Sequence, residues 1–185
     1  GCDQFCSYCI IPYARGNVRS RNSEDIINEA RRLSENGFTE IVLTGIHLTS
    51  YGKDTGDESL VNVLCNLNSL KGIKRIRLYM SQELIHTLSG LEKLCPHFHL
   101  SLQSGCDETL MRMNRRYTTS EYIDIVNNIR KNFLNAAITT DIMVGFPGET
   151  EEEFKKTCSF VEKVGFSQAH IFQYSIRKGT KAAGM

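Results

Sequence analysis

Apolar runs of strand length alternate with segments of helical periodicity along the chain, and no repeat or linker interrupts them. The predicted strands are residues 40–48, 75–80, 97–104, 137–144 and 169–175. The predicted helices are residues 24–36, a segment marked by Leu60, Val63, Leu64 and Leu67, residues 83–94, and two segments that begin at Thr118 and Thr150. Alternation of this kind predicts a parallel sheet with helical crossovers.

Capping residues mark the ends of three predicted helices. Ser23 stands before the apolar face of the first helix, which Gly37 ends. The last two predicted helices open on Thr-x-x-Glu, with Glu121 and Glu153 at the fourth position. In this capping box the side chains and backbone amides of the first turn satisfy each other, so these helix starts are the best-defined boundaries in the sequence.

Polar residues recur on the predicted strands at Thr44, Arg77, Tyr79, Ser101, Gln103, Asp141 and Gln173. Helices cover the outside of a parallel barrel, so polar side chains on the inner face need polar partners in the lumen. The set therefore favours a partial (β/α) barrel with a cavity over a flat doubly wound sheet. Functional groups of barrels lie at the C-terminal strand ends, where we expect Thr44, Gln103 and Asp141. For any one of them, a satisfied core polar residue is the alternative.

The composition is that of one globular domain spanning residues 1–185, with 41% hydrophobic and 23% charged residues. Neither a signal segment nor an apolar run of about 18 residues occurs, which favours a cytoplasmic location. A net charge of +1 excludes a strongly basic domain that binds nucleic acid by charge alone. Because the chain opens at Gly1 directly on a cysteine cluster, we expect it to be a piece of a longer protein, with a further strand upstream.

Three of the seven cysteines, Cys2, Cys6 and Cys9, fall within eight residues with the spacing C-x3-C-x2-C. An odd, clustered set suits metal ligation better than paired disulfides. Structural zinc sites and ferredoxin clusters take four protein ligands, whereas a cubane on three thiolates leaves one iron open. The pattern therefore predicts a catalytic 4Fe-4S cluster on these cysteines.

The alternative is a zinc site completed by a distant ligand, for which Cys95, His97 and His99 are the candidates. The remaining cysteines, Cys65, Cys106 and Cys158, are predicted to be small core residues.

The cysteine segment, residues 1–16, and the Arg-Ser-Arg at 19–21 resemble the cluster loop of the radical S-adenosylmethionine (SAM) methylthiotransferases. Residues 101–105, 113–118, 141–150 and 174–180 resemble further motifs of that family. The resemblance implies an α/β fold, a partial (β/α)6 TIM-like radical SAM barrel whose first strand lies upstream.

The resemblance also implies that SAM binds beside the cluster. It places Tyr8 and Phe172 near the adenine and Thr44 and Gly45 at the amino group. It places Ser101 and Gln103 at the ribose and methionine portions, and Arg115 at the carboxylate. Asp141 completes the implied cofactor-binding set, and no catalytic residue beyond the cluster is implied.

The implied reaction inserts a methylthio group at C2 of N6-threonylcarbamoyladenosine, next to the tRNA anticodon, through a 5′-deoxyadenosyl radical. Residues 43–48 resemble the branch of the family with that substrate. Alternatives are the branches acting on isopentenyladenosine in tRNA or on a ribosomal-protein aspartate, and a non-catalytic zinc or iron-sulfur binding module.

The implied partners are tRNA, an external electron donor and a sulfur donor. A second 4Fe-4S cluster is expected in an upstream domain and an RNA-binding domain downstream. Candidates for phosphate contacts within this chain are Arg15, Arg19, Arg21, Arg112 and Arg116. The sequence departs from the family pattern at residues 79–82, Ile176 and Lys181.

Overall fold

Helices and parallel strands alternate in a computed structural model that describes residues 1–56, 59–78 and 88–185. The helices are α1 (Ile11–Arg15), α2 (Ser23–Glu35), α3 (Leu60–Ser69), α4 (Asp107–Arg112), α5 (Thr119–Asn132) and α6 (Glu151–Val164). The strands are β1 (Glu40–Leu43), β2 (Arg75–Leu78), β3 (His97–His99), β4 (Ala137–Val144) and β5 (Gln168–Gln173). Short 3-10 helices span Leu48–Ser50 and Lys181–Gly184.

The strands lie side by side in chain order, and every described pair is parallel. β1 pairs with β2, and β4 lies between β3 and β5. A bridge between Ile76 and Leu94 extends β2 toward the second sheet. Sequential order without reversal is the order of a barrel, since a doubly wound sheet changes direction at a switch point. The described strands do not close, so they form part of a barrel, as predicted.

Strand lengths follow the prediction best where the backbone stays extended. β4 has the predicted bounds, and β5 begins one residue earlier and ends two residues earlier than predicted. β1 ends at Leu43 instead of residue 48, because the chain turns into the 3-10 helix. β3 ends at His99, and Gln103 forms only an isolated bridge to Ile142 because its φ is 68°.

Part of the prediction falls outside the described residues. Tyr79, the end of the predicted strand 75–80 and the first five residues of the predicted helix 83–94 lie there. Of the described residues, 89–93 form turns and an irregular segment rather than helix, and Leu94 forms the bridge to Ile76.

Both predicted capping boxes are confirmed. Thr118 and Thr150 accept from the backbone amides of Glu121 and Glu153, and those carboxylates accept from the backbone of the capping residue in return. The predicted cap of α2 is wrong, because Ser23 is already the first helical residue.

Asn22 caps α2 instead. Its Oδ1 accepts from the amides of Glu24 and Asp25 at 2.9 and 3.3 Å. The cap therefore lies one residue earlier than the sequence pattern suggests, and one side chain satisfies two amides of the first turn.

Two apolar clusters hold the strands and helices together. The larger one includes Leu64, Leu67, Ile76, Phe98 and Val126, each no more than 1% exposed. Burying such a side chain stabilises the fold by roughly 1.5–3 kcal/mol. The smaller cluster consists of Met113, Met143, Phe146 and Ala182, with Tyr8 and Tyr174 packed against it. Since Tyr8 lies between two of the N-terminal cysteines, this smaller cluster supports the cysteine segment.

The cysteines outside that segment differ from the prediction in two cases. Cys65 on α3 and Cys158 on α6 are exposed, because the apolar faces of these helices are formed by other residues. Cys106 is buried, as predicted, and its thiol donates to Glu108 Oε2 at 2.9 Å. Among the described residues, no helix is both long and apolar enough to cross a bilayer.

Thr118→Ala tests the capping box at the start of α5. Losing the acceptor of the Glu121 amide should lower the free energy of unfolding by about 1 kcal/mol, measured by urea unfolding followed by circular dichroism. Ser120→Ala, at an exposed position in the same turn, is the control and should change it by less than about 0.5 kcal/mol. Equal losses in the two variants would contradict the role of the cap.

Candidate functional site

The cysteine loop, residues 1–10, is attached to the segment that follows α4. The amide of Ser7 donates to the carbonyl of Met113 at 2.9 Å, and its hydroxyl donates to the carbonyl of Arg112 at 2.8 Å. The Ser7 carbonyl in turn accepts from the amide of Ala182 at 2.8 Å. Ser7 is 3% exposed, so these bonds are shielded from water and fix the middle of the loop.

Two left-handed residues face each other across this attachment. Asn114 has a φ of 56°, and its side-chain amide donates to the carbonyl of Phe5 at 2.8 Å. Phe5 itself has a φ of 49°, which is unfavourable for a bulky side chain. Since Asn tolerates this conformation better than most residues, Asn114 is suited to hold Phe5 in its strained turn.

The three thiols lie on this loop, free and partly buried. The amide of Cys9 donates to the carbonyl of Cys6 at 2.9 Å, which folds the loop back on itself. Burial raises the pKa of the Cys9 thiol, and Cys6 and Cys2 raise it further. Within the described ranges, no three His, Cys, Asp or Glu side chains are gathered closely enough to hold a metal ion. The donor set nevertheless fits an iron-sulfur cluster, because it supplies three thiolates from one short loop.

Arg115 joins the cysteine loop to the end of β3. Its Nη1 donates to Cys6 Sγ at 3.4 Å, and its Nη2 donates to the carbonyl of Ser101 at 3.2 Å. Its Nε donates to the hydroxyl of Tyr117 at 3.1 Å, and the guanidinium lies 4.9 Å from the centre of that ring. Burial by itself would lower the pKa of Arg115, but Tyr117, Tyr8 and Cys6 raise that pKa above its ordinary value. The group is therefore a fixed positive charge.

Tyr117 contacts Arg115 through its hydroxyl and its ring. Its hydroxyl donates to the carbonyls of Leu102 and Ser101, at 2.6 and 2.9 Å. Burial raises the pKa of this hydroxyl, against the opposing effect of Arg115, so it remains a donor. Tyr117 was not among the predicted site residues, although it lies two positions after Arg115 in a motif that the resemblance includes.

Ser101, two residues beyond β3, contacts Asp141 on β4. Asp141 Oδ2 accepts from the Ser101 hydroxyl at 3.1 Å and lies 3.0 Å from His99 Nε2. His99 Nδ1 lies 3.1 Å from the hydroxyl of Thr139. His99 thus belongs to this polar group, and the alternation of His97, His99 and Ser101 on one face was the signal that could have identified it.

Gln103 is buried beside this group, and one of its polar atoms forms no hydrogen bond with the described residues. Its backbone bridges to β4, where it donates to the carbonyl of Asp141 at 2.8 Å and accepts from the amide of Met143 at 2.9 Å. Its Oε1 has no hydrogen-bond partner among the described residues. A buried acceptor without a partner costs roughly 1–3 kcal/mol, so the position favours a donor from a ligand.

Aromatic side chains form the wall beside the cysteine loop. The Tyr8 ring packs edge-on to Phe146, with 6.4 Å between centroids, and Phe146 packs against Tyr174 at 5.6 Å. Burial raises the pKa of the Tyr8 hydroxyl. The Tyr174 hydroxyl is buried without a described partner. Phe172, the residue predicted near the adenine, is 42% exposed on β5.

Thr44 and Gly45 line a different cavity, of about 460 Å³, together with Gly1, Arg19 and His47. The described lining of this cavity includes none of the cysteines, and Tyr8, Ser101 and Arg115 are not part of it. The structure therefore groups Cys6, Tyr8, Ser101, Gln103, Arg115 and Asp141 on one side and places Thr44 and Gly45 apart from them.

Arg77 and Gln173, which were also predicted to face the lumen, do not reach the polar group. Arg77 pairs with Glu40 at 2.6 Å across the β1–β2 pair, and Gln173 is exposed. Burial, followed by the charges of Arg77 and His99, lowers the pKa of His97. The zinc candidates Cys95, His97 and His99 form no metal-holding group within the described part of the chain.

Two of the candidate phosphate-binding arginines already have acidic partners. Arg112 binds both carboxylate oxygens of Glu153, at 2.9 and 2.6 Å, and this contact lowers the pKa of Glu153. Arg21 pairs with Glu29. The other three are exposed: Arg15, Arg19 and Arg116.

Comparison with known proteins relates the chain to one superfamily. The sequence model of the Radical SAM superfamily matches residues 1–161. A tRNA-2-methylthio-N(6)-dimethylallyladenosine synthase of Thermoanaerobacter sp. (strain X514) is 47% identical over 192 aligned positions, covering 100% of this chain and 41% of that protein. The threonylcarbamoyladenosine tRNA methylthiotransferase MtaB of Bacillus subtilis (strain 168) is 44% identical, with 100% of this chain and 43% of that protein covered. The chain thus spans about two fifths of the length of these relatives.

Among solved structures, coproporphyrinogen III oxidase (HemN) from Escherichia coli, described as a radical SAM enzyme, matches with a TM-score of 0.66 at 14% identity. The match covers 99% of this chain and 44% of that one. At this identity the likeness concerns the fold alone, and it confirms the predicted fold class.

Asn114→Gly tests the attachment of the cysteine loop. Glycine keeps the left-handed backbone but removes the bond to Phe5, so the loop should lose about 1 kcal/mol of local stability. We expect the amides of Ser7 and Cys9 to exchange hydrogen about fivefold faster, measured by mass spectrometry. Asn135→Gly, at another left-handed but exposed position, is the control and should leave this exchange unchanged. Unchanged exchange in both variants would contradict the attachment.

Proposed function

The chain belongs to the radical SAM superfamily, and we propose that it is the catalytic core of a tRNA methylthiotransferase. The observation that carries the proposal is the loop with Cys2, Cys6 and Cys9, which Ser7 attaches to the segment after α4 and which Arg115 joins to Ser101, just beyond the C-terminal end of β3. Barrel enzymes place their reactive groups at this end. The residues 1–185 would form one domain of a longer cytoplasmic protein.

Cys2, Cys6 and Cys9 would hold a 4Fe-4S cluster. Bound there, the cluster supplies the electron that cleaves SAM into methionine and a 5′-deoxyadenosyl radical. A radical is needed because the C–H bond at C2 of the adenine offers no acidic proton. Three protein thiolates would leave one iron free to bind SAM.

The residues grouped around Arg115 would bind SAM. The Gln103 Oε1 is a buried acceptor suited to an ammonium or hydroxyl donor, and the Arg115 guanidinium is suited to the carboxylate. Ser101 and Asp141 would meet the ribose and methionine portions, while Tyr8 borders the adenine. Thr44 and Gly45 at the amino group and Phe172 at the adenine remain proposals from the resemblance, since they lie outside this group.

The proposed substrate is N6-threonylcarbamoyladenosine next to the tRNA anticodon. Residues 43–48 support this branch, and the Bacillus subtilis relative carries that substrate in its name. The Thermoanaerobacter relative is named for the dimethylallyl substrate, so the isopentenyladenosine branch is the second candidate. The target base would have to be unstacked to reach the site. An electron donor and a sulfur donor complete the reaction.

Replacing any one of Cys2, Cys6 and Cys9 by Ala tests the cluster assignment. Each variant of the full-length protein, reconstituted without oxygen, should lose all measurable cleavage of SAM to 5′-deoxyadenosine. Cys65→Ala, at an exposed helical position, is the matched control and should retain full cleavage. Cleavage that survives in one of the three loop variants would remove that cysteine from the ligand set.

A deletion strain tests the substrate. Mass spectrometry of tRNA nucleosides should show that 2-methylthio-N6-threonylcarbamoyladenosine is lost and that the unmethylthiolated nucleoside accumulates. Loss of the methylthio group from the isopentenyladenosine nucleoside instead would assign the second branch. Retention of both methylthio nucleosides would contradict a tRNA substrate.

A further inference from the structure

Arg115 contacts the sulfur of a proposed cluster ligand. Its Nη1 lies 3.4 Å from Cys6 Sγ, a thiol that stands in for the thiolate of the loaded site. Resting on the proposed function, we infer that Arg115 sets the reduction potential of the cluster through this hydrogen bond. The role is separate from binding the carboxylate of SAM, because it exists before SAM arrives.

The geometry of the guanidinium fixes this contact. Nε is directed at the Tyr117 hydroxyl, Nη2 at the Ser101 carbonyl, and the plane lies over the Tyr117 ring. Because the guanidinium is planar and rigid, these contacts leave Nη1 pointing at Cys6. The bond to sulfur therefore follows from how β3 and the segment after α4 hold the side chain.

Among the described residues, no carboxylate pairs with Arg115 and offsets its positive charge near the Cys6 sulfur. Arg112, three residues earlier, differs because it binds Glu153 through both of its terminal nitrogens. Two nearby arginines thus serve different purposes: Arg112 ties α4 to α6, and Arg115 directs its charge at the cysteine loop.

The charge of the cluster before and after reduction gives the direction in which Arg115 shifts the reduction potential. Reduction transfers one electron from an external reductant to the cluster, with no bond formed or broken and no proton required. The reduced state carries one more negative charge, so a positive charge and an N–H donor at a ligand sulfur stabilise it more than the oxidised state. Arg115 therefore raises the potential and makes the cluster easier to reduce.

The test uses the full-length protein, reconstituted without oxygen and without SAM, in redox titrations with dithionite followed by electron paramagnetic resonance. Arg115→Gln should move the potential to a more negative value, so that the reduced fraction at a fixed potential falls several-fold. Arg115→Lys keeps the charge but not the planar fork, and should give a smaller shift. Arg116→Gln, which removes a charge from the exposed neighbouring position, should leave the potential unchanged. A variant without Cys2, Cys6 and Cys9 supplies the signal of any other cluster for subtraction.

A measurement on the unaltered protein keeps the inference testable if a variant fails to bind the cluster. With arginine labelled by nitrogen-15, the reduced cluster should show a nitrogen coupling that disappears in Arg115→Lys. If Arg115→Gln holds an intact cluster with an unchanged potential, the inference is wrong while the proposed function stands. The same holds if the unaltered protein has an intact cluster but shows no nitrogen coupling. A full-length protein that takes up no cluster on these cysteines overturns the proposed function, and this inference with it.

Discussion

The attachment of the cysteine loop to residues 112–115 is the constraint on which the rest of the site depends. The loop has no regular secondary structure at its thiols, so contacts from outside decide where they lie. Arg112 and Met113 receive the bonds of Ser7 through their carbonyls, and Asn114 and Arg115 donate to Phe5 and Cys6. A short turn after α4 thus positions the centre of the loop, and helix α4 itself is tied to α6 through Arg112 and Glu153.

Helix α6 packs closely against the turn after β3, and this packing requires a glycine in the turn. A side chain at Gly105 would place its Cβ 2.7 Å from Phe160 Cβ and 3.0 Å from Thr157 Cα, so α6 approaches the turn after β3 only because that position is glycine. The approach brings the Thr157 hydroxyl within 3.2 Å of the Gly105 amide. Rigid support of this kind keeps Ser101 and Gln103 in place beside the cysteine loop.

Prediction from the sequence was most accurate for features that depend on residues close together in the chain. The capping boxes at Thr118 and Thr150 and the bounds of β4 depend on neighbouring residues, and all three were predicted correctly. Asn22, and not Ser23, caps α2. The two residues are adjacent and both can cap a helix, so the sequence pattern alone does not show which of them does.

The site could be predicted only in part, because its contacts are made over long distances in sequence. The spacing of the cysteines pointed to the loop, but Arg115 and Cys6 are 109 residues apart, and no periodicity links them. The resemblance supplied Arg115 as a candidate without its partner. The burial of Gln103 in a left-handed conformation and the exposure of Cys65 and Cys158 depend on how helices and strands pack. Side-chain contacts of this kind require the fold.

The most direct measurement is a crystal structure of the full-length protein, grown without oxygen, with its cluster and SAM bound. We expect that Cys2, Cys6 and Cys9 each bind one iron, that SAM occupies the fourth, and that Arg115 stays within hydrogen-bond distance of Cys6 Sγ. A fourth protein ligand on the metal, or loop thiols turned away from one another, would contradict this expectation.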